Sequence, residues 1–109
     1  NAGTSWQSAS DERDKENLVN ITDAITKVKT LRTVIGNYIW KPEVKTPFLI
    51  AQDVQKVLPE AVSEVVGQDN ETHLNMSYTD VIPLLVAGIK ELSAKCADYE
   101  TRIKTLEAG

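Results

Sequence analysis

The chain has 109 residues, 41% of them hydrophobic, which is typical of one small domain. Its net charge of −4 argues against nucleic acid and anionic membranes as main partners, and no apolar run approaches the roughly 20 residues of a membrane-spanning helix. The single cysteine, Cys96, excludes an intrachain disulfide, and one histidine with one cysteine is too few soft ligands for a structural zinc site. We therefore expect no metal, no cofactor, no nucleic-acid partner and no membrane partner.

A polar leader, residues 1–9, precedes a charged run from Ser10 to Asn17. The leader has the composition of an extended arm or of the end of a preceding domain. The run holds the one plausible nucleophile–base pair of the sequence, Ser10 and Lys15. On a straight helix these side chains would point about 140° apart, so a turn must fold Lys15 back if the two are to meet. Judged by composition alone, the run is a solvated charged linker.

Short elements follow the charged run. Apolar residues at helical spacing predict a first helix of about three turns, with Asn20 or Thr22 as its N-cap. The predicted elements after it are a strand at 33–40 with a bulge or turn at Gly36-Asn37, a buried strand at 48–50, a helix at 52–58 stopped by Pro59, and strands at 61–66 and 72–76 joined by a turn at 67–70. His73, on the last strand, is expected at the surface.

The last third has the most regular pattern. Ser77 to Asp80 matches a capping box, in which the serine hydroxyl and the aspartate carboxylate bond free backbone amides. A heptad seam follows, with apolar residues alternating in steps of three and four: Ile82, Leu85, Ile89, Leu92, Cys96, Tyr99, Ile103 and Leu106. A helix packed on its own domain could show this pattern too. Because nearly four heptads would project beyond so small a core, self-association is favoured, with two or three strands left open.

Three motifs occur in order along the chain. Ser10-Asp11-Glu12-Arg13 with Lys15 and Asn17 is the first, and Ile50-Ala51-Gln52-Asp53-Val54 with Val57-Leu58-Pro59-Glu60-Ala61-Val62 is the second. Tyr78 with Ile82-Pro83-Leu84-Leu85-Val86 is the third. Together they resemble the intramolecular chaperone of phage tail spikes and fibres, also called the peptidase S74 or endosialidase C-terminal chaperone domain.

The resemblance implies an α+β domain with a long C-terminal helix in a trimeric coiled coil. Its divisions would be a leader at 1–9 that ends a β-rich shaft, a chaperone region at 10–76 and a coiled-coil helix at 77–109. It implies a homotrimer whose folding client is the shaft of its own polypeptide. The module would then be released by cleavage of the Ala9–Ser10 bond through a dyad of Ser10 and Lys15. The expected location is the infected bacterial cytoplasm during assembly, with the module at the fibre tip or removed from it.

Some features oppose an active dyad. Four carboxylates surround Lys15 and favour its charged form, and Asp14 stands where the family usually has an apolar leucine. Rival functions are therefore a trimerisation cap that never cuts and a coiled-coil module that binds another protein. The candidate supporting residues of the dyad are Asp11, Arg13, Asn17 and Gln52. Three of them have structural alternatives: Arg13 pairing with a local carboxylate, Asn17 capping a turn and Gln52 as a core amide. Cys96 on the seam is expected to be an apolar packing residue.

Overall fold

A computed structural model describes residues 7–109 of the chain. Its helices are α1 (Ala24–Val28), α2 (Ala51–Val57) and α3 (Tyr78–Ala108). Its strands are β1 (Val34–Gly36), β2 (Thr46–Phe48), β3 (Val62–Val66) and β4 (Thr72–Met76). The strands form two separate antiparallel pairs, β1 with β2 and β3 with β4. The predicted α+β class with a long C-terminal helix is confirmed. The predicted leader lies outside the described residues except for its last three.

The β3–β4 hairpin forms where alternating residues flank a turn-forming segment. Val62 pairs with Met76 at one end and Val66 with Thr72 at the other. Gly67 begins the turn, and Asn70 adopts the left-handed conformation that asparagine tolerates. A Cβ at Gly67 would lie 2.8 Å from the His73 ring, so a larger residue here would displace the His73 side chain.

The core lies where the first half of α3 meets α1, α2 and the short 3₁₀ turn at Pro59–Ala61. Its three largest fully buried side chains are Val54, Val81 and Leu84. Val54 lies on the predicted apolar face of α2, whose bounds agree with the prediction to within one residue at each end. Pro59, which lacks an amide hydrogen, ends this helix as expected. The core is small, so each buried side chain contributes a large share of the domain's stability.

The first helix is shorter than the three turns predicted. α1 has only five residues, and it begins no earlier than Ala24 because Asp23, directly before it, has a left-handed φ of 54°. Neither Asn20 nor Thr22 is its N-cap. The strand predicted at 33–40 ends at Gly36, and the one predicted at 48–50 lies two residues earlier, at Thr46–Phe48. With these bounds β1 and β2 pair as a short antiparallel ribbon. Val34 lies opposite Phe48 and Gly36 lies opposite Thr46.

The predicted capping box before α3 is wrong. Ser77 is the N-cap residue by position, but its side chain makes no capping hydrogen bond. Its Oγ lies instead 3.1 Å from Oγ1 of Thr79, and the backbone carbonyl of Ser77 accepts the Asp80 amide. The backbone amide of Ser77 donates to the carbonyl of Ala61, so this residue joins the start of α3 to the end of the Pro59–Ala61 turn.

α3 presents two different faces. The first, formed by Val81, Leu84 and Gly88, is buried against the domain. The heptad seam lies beside it and is exposed along its whole length. From Leu92 onward every residue is exposed, so about 25 Å of helix extends beyond the domain. None of the helices described at residues 7–109 is long and apolar enough to cross a membrane.

Candidate functional site

A tight turn brings the two ends of the charged run together. Glu12–Asp14 form a 3₁₀ turn in which the amide of Lys15 donates to the Glu12 carbonyl at 3.1 Å. Asp11 caps it, because its Oδ1 accepts the backbone amide of Arg13 at 2.9 Å. The Arg13 guanidinium also donates to the Asp11 carboxylate, at 2.7 Å from Nη2. These side-chain bonds lower the pKa of Asp11 and raise the pKa of Arg13.

The turn places Lys15 beside Ser10. The Lys15 Nζ donates a hydrogen bond to the Ser10 Oγ at 2.7 Å. That separation is within the range over which a base takes a proton from a nucleophile. A neutral amine in this position can accept the serine proton, whereas a charged ammonium can only donate to the hydroxyl oxygen. Both residues are exposed in the single chain, as is every residue from Gln7 to Asn20.

Some of the other candidate residues lie next to this turn, and one lies on a different element. Ala9 directly precedes Ser10, so the carbonyl of the expected cleavage bond adjoins the hydroxyl that would attack it. Asn17 has a positive φ of 56°, and its amide donates to the Glu16 carboxylate at 3.5 Å. Gln52 is exposed on α2, and within residues 7–109 no side-chain hydrogen bond joins it to Ser10 or Lys15. Asp11 and Arg13 thus shape the turn, and Gln52 belongs to a different part of the molecule.

The seam residues are candidates for contact with other chains. Ile89 is 67% exposed and Leu106 is 78% exposed. Cys96, at the middle of the seam, is also exposed and has a free thiol. A regular row of large apolar side chains in water is typical of a surface that another molecule covers.

Two polar ties that the sequence did not reveal hold the domain together. Glu91 of α3 accepts the backbone amides of Ala24 and Ile25 at 2.7 and 3.0 Å, which caps α1 from a distant part of the chain. Asp53 of α2 accepts the backbone amide and the guanidinium of Arg32 at 2.9–3.1 Å. Neither tie has a local motif, because the two partners are distant in sequence. In the sequence, Glu91 and Asp53 are single acidic residues on helices, and nothing beside them predicts these hydrogen bonds.

An aromatic cluster marks the end of the β1–β2 ribbon. The rings of Tyr38 and Trp40 stack at a centroid distance of 4.8 Å, and Phe48 meets Tyr38 edge-on. Trp40 and the neighbouring Ile39 are largely exposed. This is a second apolar surface open to other chains.

The sequence is similar to known proteins in two ways. A family model described as the chaperone of endosialidase, Peptidase_S74, matches residues 10–63. Over 98 residues, 86% of this chain, the sequence is 37% identical to the long tail fiber protein Gp37 of Enterobacteria phage K3. The same protein of Enterobacteria phage T2 is also 37% identical over 98 residues. The chain covers only 8% and 7% of these two fibre proteins.

Proposed function

Because the chain belongs to the peptidase S74 family, the chaperone of endosialidase, over residues 10–63, we propose that it is the self-cleaving folding module of a phage tail fibre. Three copies associate through α3, assist the folding of the fibre shaft that precedes them, and cut the Ala9–Ser10 bond. The module acts during virion assembly in the infected bacterial cell. It leaves the fibre tip after cleavage.

The contact between Lys15 and Ser10 carries the cleavage part of the proposal. Its 2.7 Å separation suits proton transfer, and the capped turn at 11–14 gives the two side chains a defined approach. Neither residue has a competing structural role in the core, since both are exposed. An exposed serine and lysine need not be placed in contact to stabilise a small domain.

The proposed reaction has two steps. Neutral Lys15 takes the proton of the Ser10 hydroxyl as its Oγ attacks the carbonyl carbon of Ala9. The bond from that carbon to the Ser10 nitrogen breaks, the nitrogen takes a proton, and Ala9 is then joined to Ser10 through an ester. Water hydrolyses the ester, leaving a carboxylate at Ala9 and a free amine and hydroxyl at Ser10. Attack on a neighbouring subunit's bond is the alternative geometry.

Assembly supplies what the single chain lacks. A lysine works as a base near neutral pH when burial disfavours its charge. In the single chain Lys15 is exposed and has carboxylates on both sides. Packing of the other subunits or of the shaft over this turn would desolvate the amine, so cleavage would follow correct assembly. Cleavage would thus be delayed until the chains have assembled, because only then is the amine of Lys15 desolvated.

The chaperone role follows from chain entropy. Three chains held together at their ends lose less entropy when they close the non-local contacts of a β-rich shaft. The seam supports association of this kind, because its large apolar side chains remain between 40% and 78% exposed on the single chain. Removal of the module after folding would leave the shaft without an easy route for unfolding.

The test is the intact mass of the fibre chain under denaturing conditions, for the parent and for its Ser10→Ala and Lys15→Ala variants. We expect a break at Ala9–Ser10 in the parent alone. Folding of the shaft is measured separately by its resistance to added protease. Uncut chains of all three kinds, with normally folded shafts, would contradict the peptidase and leave a permanent trimerisation cap.

A coiled-coil module that binds a different protein is the second candidate, and the exposed seam is the observation that favours it. Sedimentation separates the two. A stable monomer at high concentration would support this candidate, and a concentration-dependent trimer would contradict it.

A further inference from the structure

The two flanks of the seam carry opposite charges in the free half of α3. Lys95 and Arg102 each lie directly before a seam residue, Cys96 and Ile103. On the other flank, Glu100 and Glu107 each directly follow one, Tyr99 and Leu106. In heptad terms the basic residues occupy the g positions and the acidic residues the e positions. All four side chains are exposed.

The half of α3 near the domain has no such charges. There the flanking positions are Val81, Val86, Gly88 and Ser93, and two of them, Val81 and Gly88, are buried against the domain itself. The charged flanks thus begin where α3 leaves the domain. Two of these charges already form exposed ion pairs within the same helix: Arg102 lies 3.8 Å from Asp98, and Glu100 lies 3.3 Å from Lys104. Such exposed pairs are worth little and can be exchanged for contacts with another chain.

We propose that these four residues make α3 complementary to a second copy of itself in one arrangement, parallel and in register. In that arrangement a g residue faces the e residue five positions later on the adjacent helix. Lys95 then meets Glu100 of the partner subunit, and Arg102 meets Glu107 of the partner subunit. Both pairs are of opposite sign, and the same pairs recur at every interface of a closed ring of helices.

Other arrangements are opposed by the same charges. Antiparallel helices would place the basic flank on a basic flank and the acidic flank on an acidic one, which is unfavourable. A shift by one heptad would keep only one of the two pairs on each flank. Apolar seam residues supply the association, and the charges choose its direction and register. This inference rests on the self-association in the proposed function and assigns the residues that direct it.

Charge exchange in the full 109-residue chain tests the inference. The half-exchanged variant carries Glu100→Lys and Glu107→Lys, and its complement carries Lys95→Glu and Arg102→Glu. The fully exchanged variant carries all four changes, keeps the net charge and serves as the matched control. Helical content measured by circular dichroism verifies that each variant folds. Cleavage at Ala9–Ser10 leaves α3 intact and does not disturb the comparison.

We expect sedimentation equilibrium to give the parent and the fully exchanged variant the same stoichiometry and similar affinity. Each half-exchanged variant should associate about a hundredfold more weakly. Mixing the two should restore only part of the affinity in a trimer, because one of its three interfaces must still join two copies of the same variant. Native mass spectrometry of parent with fully exchanged chains should find few mixed oligomers. Equal affinity for a half-exchanged variant, or free mixing, overturns this inference and leaves self-association standing. A monomeric parent overturns both.

Discussion

The carboxylate of Glu91 accepts the backbone amide of Ala24 at 2.7 Å, and so a residue of the last helix caps the first one. This bond, with its neighbour to Ile25, is why a five-residue helix can exist after an N-cap residue that makes no side-chain bond. Replacing one of the two carboxylate oxygens by an NH2 group leaves one of these partly buried amides facing a donor instead of an acceptor.

We therefore expect Glu91→Gln to lower the thermal unfolding midpoint by about 5 °C, measured by circular dichroism at low concentration. Glu43→Gln is the control, since this exposed loop residue loses the same charge without losing a contact with α1. Equal midpoints for the two variants would contradict the capping role.

Acid should weaken the domain through the same group. Hydrogen bonds from the amides of Ile25 and Ala24 lower the pKa of Glu91 from its ordinary 4.5, and the bonds from Arg32 lower the pKa of Asp53 from 3.8. A folded-state pKa below the unfolded one means that the stabilisation is complete above the unfolded value and is lost as pH falls through the folded one. Urea unfolding should show stability falling below about pH 4.5, with a smaller fall in Glu91→Gln.

The two faces of α3 should respond differently to the same substitution. Leu84→Ala removes a fully buried side chain and should lower the free energy of unfolding by about 3 kcal/mol. Leu106→Ala should leave the single chain's stability nearly unchanged and should weaken self-association. Denaturant titrations at two protein concentrations distinguish these effects. A concentration-independent loss in Leu106→Ala would contradict the assignment of the seam.

Proton transfer by Lys15 can be separated from its charge. Lys15→Arg keeps a cation that can donate to Ser10, but a guanidinium does not lose its proton in proteins. We expect this variant to assemble normally and to cleave at least a hundredfold more slowly, as seen in a time course of intact masses. Cleavage at the parent rate would exclude Lys15 as the base.

Asp14 should act as a brake on cleavage. Asp14→Leu removes a negative charge next to Lys15 and adds an apolar neighbour, and both changes favour the neutral amine. We expect cleavage up to about tenfold faster at neutral pH. Asp14→Asn isolates the contribution of charge and should fall between the parent and the leucine variant. An unchanged rate in both would show that Asp14 does not limit the reaction.

How far the sequence could predict the fold depended on where each element's partners lie. α2 and the β3–β4 hairpin were predicted closely because apolar spacing, Pro59 and the turn at Gly67 are local signals. The bounds of α1 were not predicted closely, because the residue that caps it, Glu91, lies 67 positions away in the sequence. The capping box failed for a local reason: the Ser77 hydroxyl bonds Thr79 rather than a backbone amide.

The candidate site shows the same division. The need for a turn between Ser10 and Lys15 followed from helix geometry alone, and the contact at 2.7 Å has such a turn between its residues. The seam was visible as a heptad repeat, and its residues are exposed. The buried face beside it, at Val81, Leu84 and Gly88, was missed because the stronger repeat obscured a second stripe on the same helix. Only packing distinguishes the two stripes.

The position of Glu91 along α3 sets a boundary for protein engineering. Before Glu91, one face of the helix is buried against the domain and the seam runs beside that face. Few residues in this half can therefore be exchanged. From Leu92 onward every residue is exposed. A foreign zipper that continues the heptad phase from Leu92 could replace this half. The number of chains that associate would then be set by the zipper, with the domain itself unaltered.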